Sequence, residues 1–165
     1  MSPPYRVLFV CLGNICRSPT AHAVFREQLR RDGLLGRVEV ASAGTYAGHA
    51  GEPPDARSQR HAARRGYDLS DLRSTPLLAA DFARHDLVLV MDEMNLAACR
   101  RQCPPALQDR LRGLAGFCRR HRVERVPDPY EGGAQGFEHV LDLVEDACEG
   151  LLEHVRAELA RRPAA

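Results

Sequence analysis

An α/β fold, with a parallel sheet covered by helices on both faces, is what the sequence predicts, and three observations carry it. Apolar runs over 6–10, 38–42 and 87–91 have the length and residue types of strands. Segments with helical periodicity separate them, and strands alternating with helices imply parallel pairing through right-handed crossovers. No internal repeat and no linker-like stretch interrupts the chain, so 1–165 reads as one domain.

Each element follows from local chemistry. The run Arg-Val-Leu-Phe-Val at 6–10 is short, apolar and rich in strand formers, which suits a strand buried on both faces. A polar loop begins at Cys11. Ser18-Pro19 then predicts a helix start, a capping hydroxyl followed by proline at the first helical position. Ala21, Val24, Phe25 and Leu29 carry that helix to about Arg31, with Gly33 as its stop. The second strand, 38–42, leads into a Gly/Pro-rich loop over 44–54 and a basic helix over 55–65, closed by Gly66. The third strand, 87–91, is followed by the polar turn Asp92-Glu93 and a helix over 95–101. A weaker fourth strand is expected over 110–114, completing a four-stranded sheet. After the Pro127-Asp128-Pro129 turn, Val140, Leu143, Val144, Ala147, Leu151, Leu152 and Val155 form one stripe of a long helix over 137–159.

Composition excludes several classes. The 165 residues carry 23 basic and 22 acidic side chains, a net charge of +1, which provides no overall field for nucleic acid or an anionic membrane. No apolar run approaches the ~20 residues that span a bilayer, and no signal peptide is recognisable, so the expectation is a cytoplasmic protein. Every basic residue other than histidine is arginine. The cluster Arg119, Arg120, Arg122 and Arg125, with His121 among them, reads as a solvated loop. His22, His49, His61, His85, His139 and His154 read as surface histidines. Six scattered cysteines do not make a disulfide scaffold, and Cys99-x3-Cys103 has no matching second pair for zinc.

The chemistry concentrates in Cys11-Leu12-Gly13-Asn14-Ile15-Cys16-Arg17-Ser18. A loop that passes from a strand directly into a helix can turn its free N–H groups on an anion, and the helix dipole adds to the attraction. Gly13 permits close approach, and Asn14 tolerates left-handed backbone. Arg17 can grip two phosphate oxygens at once. A cysteine in this setting favours the thiolate, and Ser18 can donate a hydrogen bond to the sulfur. Cradle, cation and thiolate together describe phosphoryl transfer to sulfur. A Walker loop is absent, so nucleotide binding has no support. Such an attack needs an acid for the departing oxygen, and Asp128, rigidly held between two prolines, is the candidate.

The segment from Val7 to Pro19 closely resembles the signature of low-molecular-weight protein tyrosine phosphatases. The likeness extends through Ser42-Ala43-Gly44-Thr45, Val90-Met91-Asp92-Glu93 and Val126-Pro127-Asp128-Pro129-Tyr130. It implies a three-layer, Rossmann-like fold of the phosphotyrosine phosphatase I type. It also implies Cys11 as nucleophile, Arg17 as phosphate and transition-state ligand, and Asp128 as acid and then base. Leu12, Gly13, Asn14, Ile15, Cys16, Arg17 and Ser18 would line the phosphate. Asn14, Ser18 and Ser42 would shape the loop, and Cys16 would be the redox partner of Cys11. No metal or organic cofactor is needed. Phosphotyrosine proteins are the implied substrates, a tyrosine kinase the implied functional counterpart, and a monomer or weak dimer the implied state.

Departures from the family pattern fall around the cleft. An aromatic wall is often found where this chain has Gly48 and His49, with Tyr46 nearby as a substitute. Tyr130 is followed by Glu131 rather than by a second tyrosine, and Leu72 stands where some members carry a loop-supporting histidine. Two rivals share the fold. Arsenate reductases relay oxidation through further cysteines, which draws attention to Cys99 and Cys103, but Asp92 stands near where one would be needed. Phosphoarginine phosphatases tend to carry threonine at the position of Ile15, which here favours phosphotyrosine. A non-catalytic phosphate-binding module would not require Cys11, Arg17 and Asp128 together.

Overall fold

β1 (Tyr5–Cys11) alternates its side chains between two cores. Tyr5, Val7, Phe9 and Cys11 face the larger one, and Leu8 and Val10 the smaller. Burial on both faces explains why this strand lacks the apolar/polar alternation of a half-exposed one. The computed structural model describes residues 3–129 and 133–162.

β1 is joined through α1 (Arg17–Arg31) to β2 (Val38–Gly44), which pairs with it in parallel from Tyr5↔Val38 to Cys11↔Gly44. The chain then passes through α2 (Ala56–Ala63) and α3 (Ala80–Arg84) to β3 (Leu87–Val90) on the other side of β1. α4 (Glu93–Gln102) leads to β4 (Leu111–Gly113), and α5 (Gly133–Arg161) follows. The sheet order β2-β1-β3-β4 is parallel throughout. Because β2 and β3 flank β1, the chain reverses direction across the sheet there, and a crevice opens beyond its carboxyl end. Cys11 is the last residue of that strand.

α1 and α5 cover one face, contributing Val24, Phe25, Leu29, Val140, Val144, Leu151 and Val155 to the larger core. Phe82 of α3 and Cys99 of α4 close the smaller core on the opposite face. Arg156 of α5 pairs with Asp32 at the end of α1. The long C-terminal helix, the fourth strand and the stops at Gly33 and Gly66, both at positive φ, agree with the sequence reading.

Two local expectations change, and one short helix is additional. α1 begins at Arg17 and has no side-chain cap, so Pro19 falls on its third residue, where a missing N–H still costs no intrahelical bond. Ser18 is occupied elsewhere, as described below. α3 has only five residues, too few for a periodic signal. His61 and His85 are buried rather than superficial: His61 pairs with Glu138 and stacks on Phe137, and the His85 ring bonds the Asp81 carbonyl. Leu72 belongs to the larger core.

Candidate active site

The loop after β1 is shaped by what its carbonyls touch. Those of Cys11 and Leu12 accept from the N–H groups of Thr45 and Tyr46 at 3.0 and 2.8 Å. The Gly13 carbonyl accepts from Ser74 Oγ at 2.9 Å, and that of Ile15 from Asp55 N–H at 2.8 Å. In a trans peptide the next N–H points opposite to the carbonyl, so carbonyls tied outward turn the following amides inward. Asn14 makes this possible by adopting φ 55°, the left-handed conformation anticipated for it. Gly44 admits the loop, since a Cβ there would sit 2.9 Å from the Leu12 carbonyl oxygen.

The sulfur of Cys11 lies inside this turn. It accepts from the N–H groups of Asn14 at 3.3 Å and Ser18 at 3.5 Å, and meets Ser18 Oγ at 3.0 Å. Asn14 Nδ2 donates to Ser18 Oγ at 2.7 Å, which leaves the hydroxyl proton free to point at the sulfur. Ser18 is therefore a sulfur ligand, not a helix cap. Asn14 Oδ1 accepts in turn from Thr75 N–H at 2.9 Å.

Ser42 does not join this network. Its hydroxyl bonds the His22 ring at 3.1 Å, and Ser74 and Thr75 support the loop instead. Both come from the segment that continues alongside β2 through the Gly44↔Pro76 bridge. Nothing in their local sequence marks this role; it depends on a return of the chain some sixty residues later.

Arg17 is only 4% exposed, and its guanidinium is fixed from behind the loop. Nη1 donates to Asp92 Oδ2 at 2.6 Å and to the Val126 carbonyl at 3.1 Å, while Nη2 lies 4.0 Å from Asp128 Oδ2. Asp92 serves two elements at once. Its Oδ1 caps α4 through Asn95 N–H at 2.8 Å, within a reciprocal capping box, while Oδ2 holds the arginine. Val126 is itself tied to Met91 by an N–H···O bond of 2.8 Å. The sequence reading missed Asp92 as an arginine ligand, although an Asp with Asn three residues on is a recognisable cap signal.

Cys11, Leu12, Gly13, Ile15, Cys16, Arg17, Tyr46, His49 and Asp128 enclose a cleft of about 160 Å³. Tyr46 lines it, with its ring edge-on to His49 at 5.6 Å. Gly48 lies beneath that tyrosine rather than in the wall: a Cβ there would fall 2.1 Å from the Tyr46 ring. His49 Nδ1 is bonded to Glu52 at 2.6 Å. Tyr130 and Glu131 lie outside the described residues.

Cys16 packs with Ile15 and Phe137, and burial pushes its thiol up to about 12. Cys99 and Cys103 belong to the smaller core, across the sheet from the core that Cys11 joins, and burial raises both thiols, Cys99 to about 12. Among the described residues no group of three or more His, Cys, Asp or Glu side chains is arranged to hold a metal ion. The loop carrying Arg119 and Arg120 is pinned to buried Asp146, and those arginines pair with Glu153 and Glu149.

A strand-end cysteine in an amide turn, backed by a fixed arginine and faced by a carboxylate, is the arrangement the sequence reading expects of a phosphatase. The family model for low molecular weight phosphotyrosine protein phosphatases matches residues 6–161, and the chain belongs to that family of hydrolases. A low molecular weight protein-tyrosine-phosphatase of Streptomyces coelicolor is 44% identical over 163 residues, covering 97% of this chain and 99% of the relative. Low molecular weight protein-tyrosine phosphatase A of Mycobacterium tuberculosis is 38% identical, with 98% of each chain covered. The crystal structure of a protein tyrosine phosphatase from Entamoeba histolytica, with Hepes in its active site, superposes with a TM-score of 0.91 at 36% identity, covering 94% of this chain and 99% of that one.

Proposed function

We propose that the chain hydrolyses phosphotyrosine in proteins by two successive displacements at phosphorus. The observation that carries this is the convergence of Cys11, Arg17 and Asp128 on one cleft, with Arg17 Nη2 4.0 Å from Asp128 Oδ2. In the first step the Cys11 thiolate forms an S–P bond as the P–O bond to tyrosine breaks, and Asp128 gives its proton to the departing oxygen. Arg17 and the inward amides hold the equatorial oxygens, where charge is redistributed in the transition state. In the second step Asp128 takes a proton from water, the new O–P bond forms, the S–P bond breaks and the thiolate returns.

Ser18 steadies the sulfur both as attacker and as leaving group, since its hydroxyl is oriented by Asn14. Tyr46 serves as the aromatic wall. Cys16 is the candidate to trap an oxidised Cys11 as a disulfide; both are free thiols here. The reading extends to one domain over 1–165 acting in the cytoplasm, as a monomer or weak dimer, opposite a tyrosine kinase. Among the described residues no helix is long and apolar enough to cross a membrane, which is consistent with that location.

Phosphoarginine is the second reading. A Drosophila arginine phosphatase structure superposes with a TM-score of 0.83 at 29% identity, covering 91% of this chain and 97% of that one. Ile15 in the cleft offers no hydroxyl and argues for the phosphotyrosine ester. Turnover of phosphotyrosine, phosphoserine, phosphoarginine and arsenate, with Cys11→Ser as control, tests the assignment. Phosphotyrosine turnover that vanishes in the variant is expected. Preference for phosphoarginine, or thioredoxin-coupled arsenate reduction, would overturn it.

A further inference from the structure

A second groove, of about 600 Å³, includes residues joined to the cleft-lining Arg17 and Asp128 and takes no part in the chemistry above. Its lining includes Asp92, the ligand of Arg17, and Pro127, the chain neighbour of Asp128, although none of its lining residues also lines the cleft. Its apolar lining comes from Met94, Val123 and Leu143, and Met94 is 75% exposed, an unusual position for a large apolar side chain. Its charged groups are Asp92, Glu93, Glu124 and Arg125, with His139 also present. Asp92 is spent on Arg17, whereas Glu93 and Glu124 have no ionic partner among the described residues. Two available carboxylates against one guanidinium give the groove a negative bias beside an apolar surface.

Resting on the phosphotyrosine reading, we propose that this groove is a subsite for a lysine or arginine flanking the phosphotyrosine of a peptide substrate. A long cationic side chain matches both halves of the lining. Its methylenes can lie on Met94 and Val123 while its head reaches Glu93 or Glu124. The peptide link from Pro127 in the groove to Asp128 in the cleft sets the range: an extended peptide advances roughly 3.3 Å per residue, so a side chain within about three positions of the phosphotyrosine spans that interval. An acidic side chain at the same position meets like charge. The subsite thus sets sequence preference around an ester whose chemistry is handled by the loop.

The test compares kcat/KM for phosphotyrosine peptides that carry arginine, alanine or glutamate at each of the three positions on either side. At the best position the arginine peptide is expected to exceed the glutamate peptide about five-fold at low salt, a modest ratio fitting partly solvated ion pairs. Added salt should shrink it. Glu93→Gln combined with Glu124→Gln should bring the ratio close to one, and Glu124→Arg should invert it. A ratio near one in the unaltered protein, or one that survives the double substitution, overturns the subsite while leaving phosphotyrosine hydrolysis intact. Absence of turnover on every peptide would overturn the subsite together with the phosphotyrosine reading.

Discussion

Arg17 and Asp92, 75 residues apart, are joined by a charge-assisted hydrogen bond of 2.6 Å in the wall behind the catalytic loop. The same carboxylate starts α4, so helix position and guanidinium orientation are set by one side chain. Asp92→Asn keeps a good N-cap and removes the charge. We expect its melting temperature to fall, because the buried guanidinium is left without its counter-charge, and kcat/KM to fall about 10–100-fold, because Arg17 loses its fixed geometry. Asp92→Ala should lose activity similarly and also about 1 kcal/mol of stability from the cap. Calorimetry beside steady-state kinetics separates the two effects; an Asn variant with full activity would remove Asp92 from the positioning role.

Asp128 lines the cleft beside Arg17, and the value of the proposed acid depends on how badly the leaving oxygen needs a proton. Asp128→Ala should therefore reduce turnover of phenyl phosphate by about 10²–10⁴-fold. The loss on p-nitrophenyl phosphate, whose leaving group is already stable, should be much smaller. Equal losses on both esters would exclude the acid role.

Gly48 and Tyr46 compete for the same space, because a Cβ on the glycine overlaps the tyrosine ring. The tyrosine is a side chain on the surface and can swing aside, so Gly48→Ala should fold normally. Its KM for aromatic phosphoesters should rise by about three-fold, since the displaced wall loses part of its contact with the ring. Substrate titration of this variant beside Tyr46→Ala gives the check: similar rises are expected, and an unchanged KM in both would exclude Tyr46 as the wall.

A half-buried histidine and a buried aspartate divide the acid limb of the stability curve. Burial, assisted by nearby Arg26, lowers His22 from 6.5 to about 4, so the folded protein resists protonating it. The unfolded chain takes up that proton first. The stabilisation is therefore complete above pH 6.5 and is lost as pH falls towards 4, amounting to roughly 3 kcal/mol at most. Asp146 behaves differently. Burial pushes its carboxyl up, but the N–H groups of Arg119, Arg120 and His121, with the His121 ring, hold it below the usual range. Its stabilisation is present above the ordinary aspartate value and disappears below it. Urea unfolding at pH 7, 5, 4 and 3 should show His22→Gln flattening the upper window and Asp146→Asn the lower.

The legible parts of this protein were those whose cause is local. Val7 to Val10 had the composition of a doubly buried strand, Asn14 the tolerance for left-handed backbone, and Val140 to Val155 the stripe of a packed helix. Ser18 was a site residue on sequence grounds, but its hydroxyl was equally suited to a cap, and only the folded loop decides between those uses. Ser74, Thr75 and Asp92 support the site through contacts that span 61 to 75 residues, and a linear pattern carries no trace of such pairs. Ser42 shows the converse: it opens a segment that matches the family pattern, yet it bonds His22 and not the catalytic loop.

The bond from Arg17 to the Val126 carbonyl spans 109 residues. During synthesis, when domains assemble from the N-terminal side, the strand and its cysteine emerge long before the segment that completes their enclosure. Arg17 therefore lacks this anchor until almost the whole chain has folded. Activity is thereby coupled to completion: a ribosome-stalled or truncated chain ending before Val126 has the loop sequence but no enzyme, and turnover during refolding reports the last tertiary contacts, not the first.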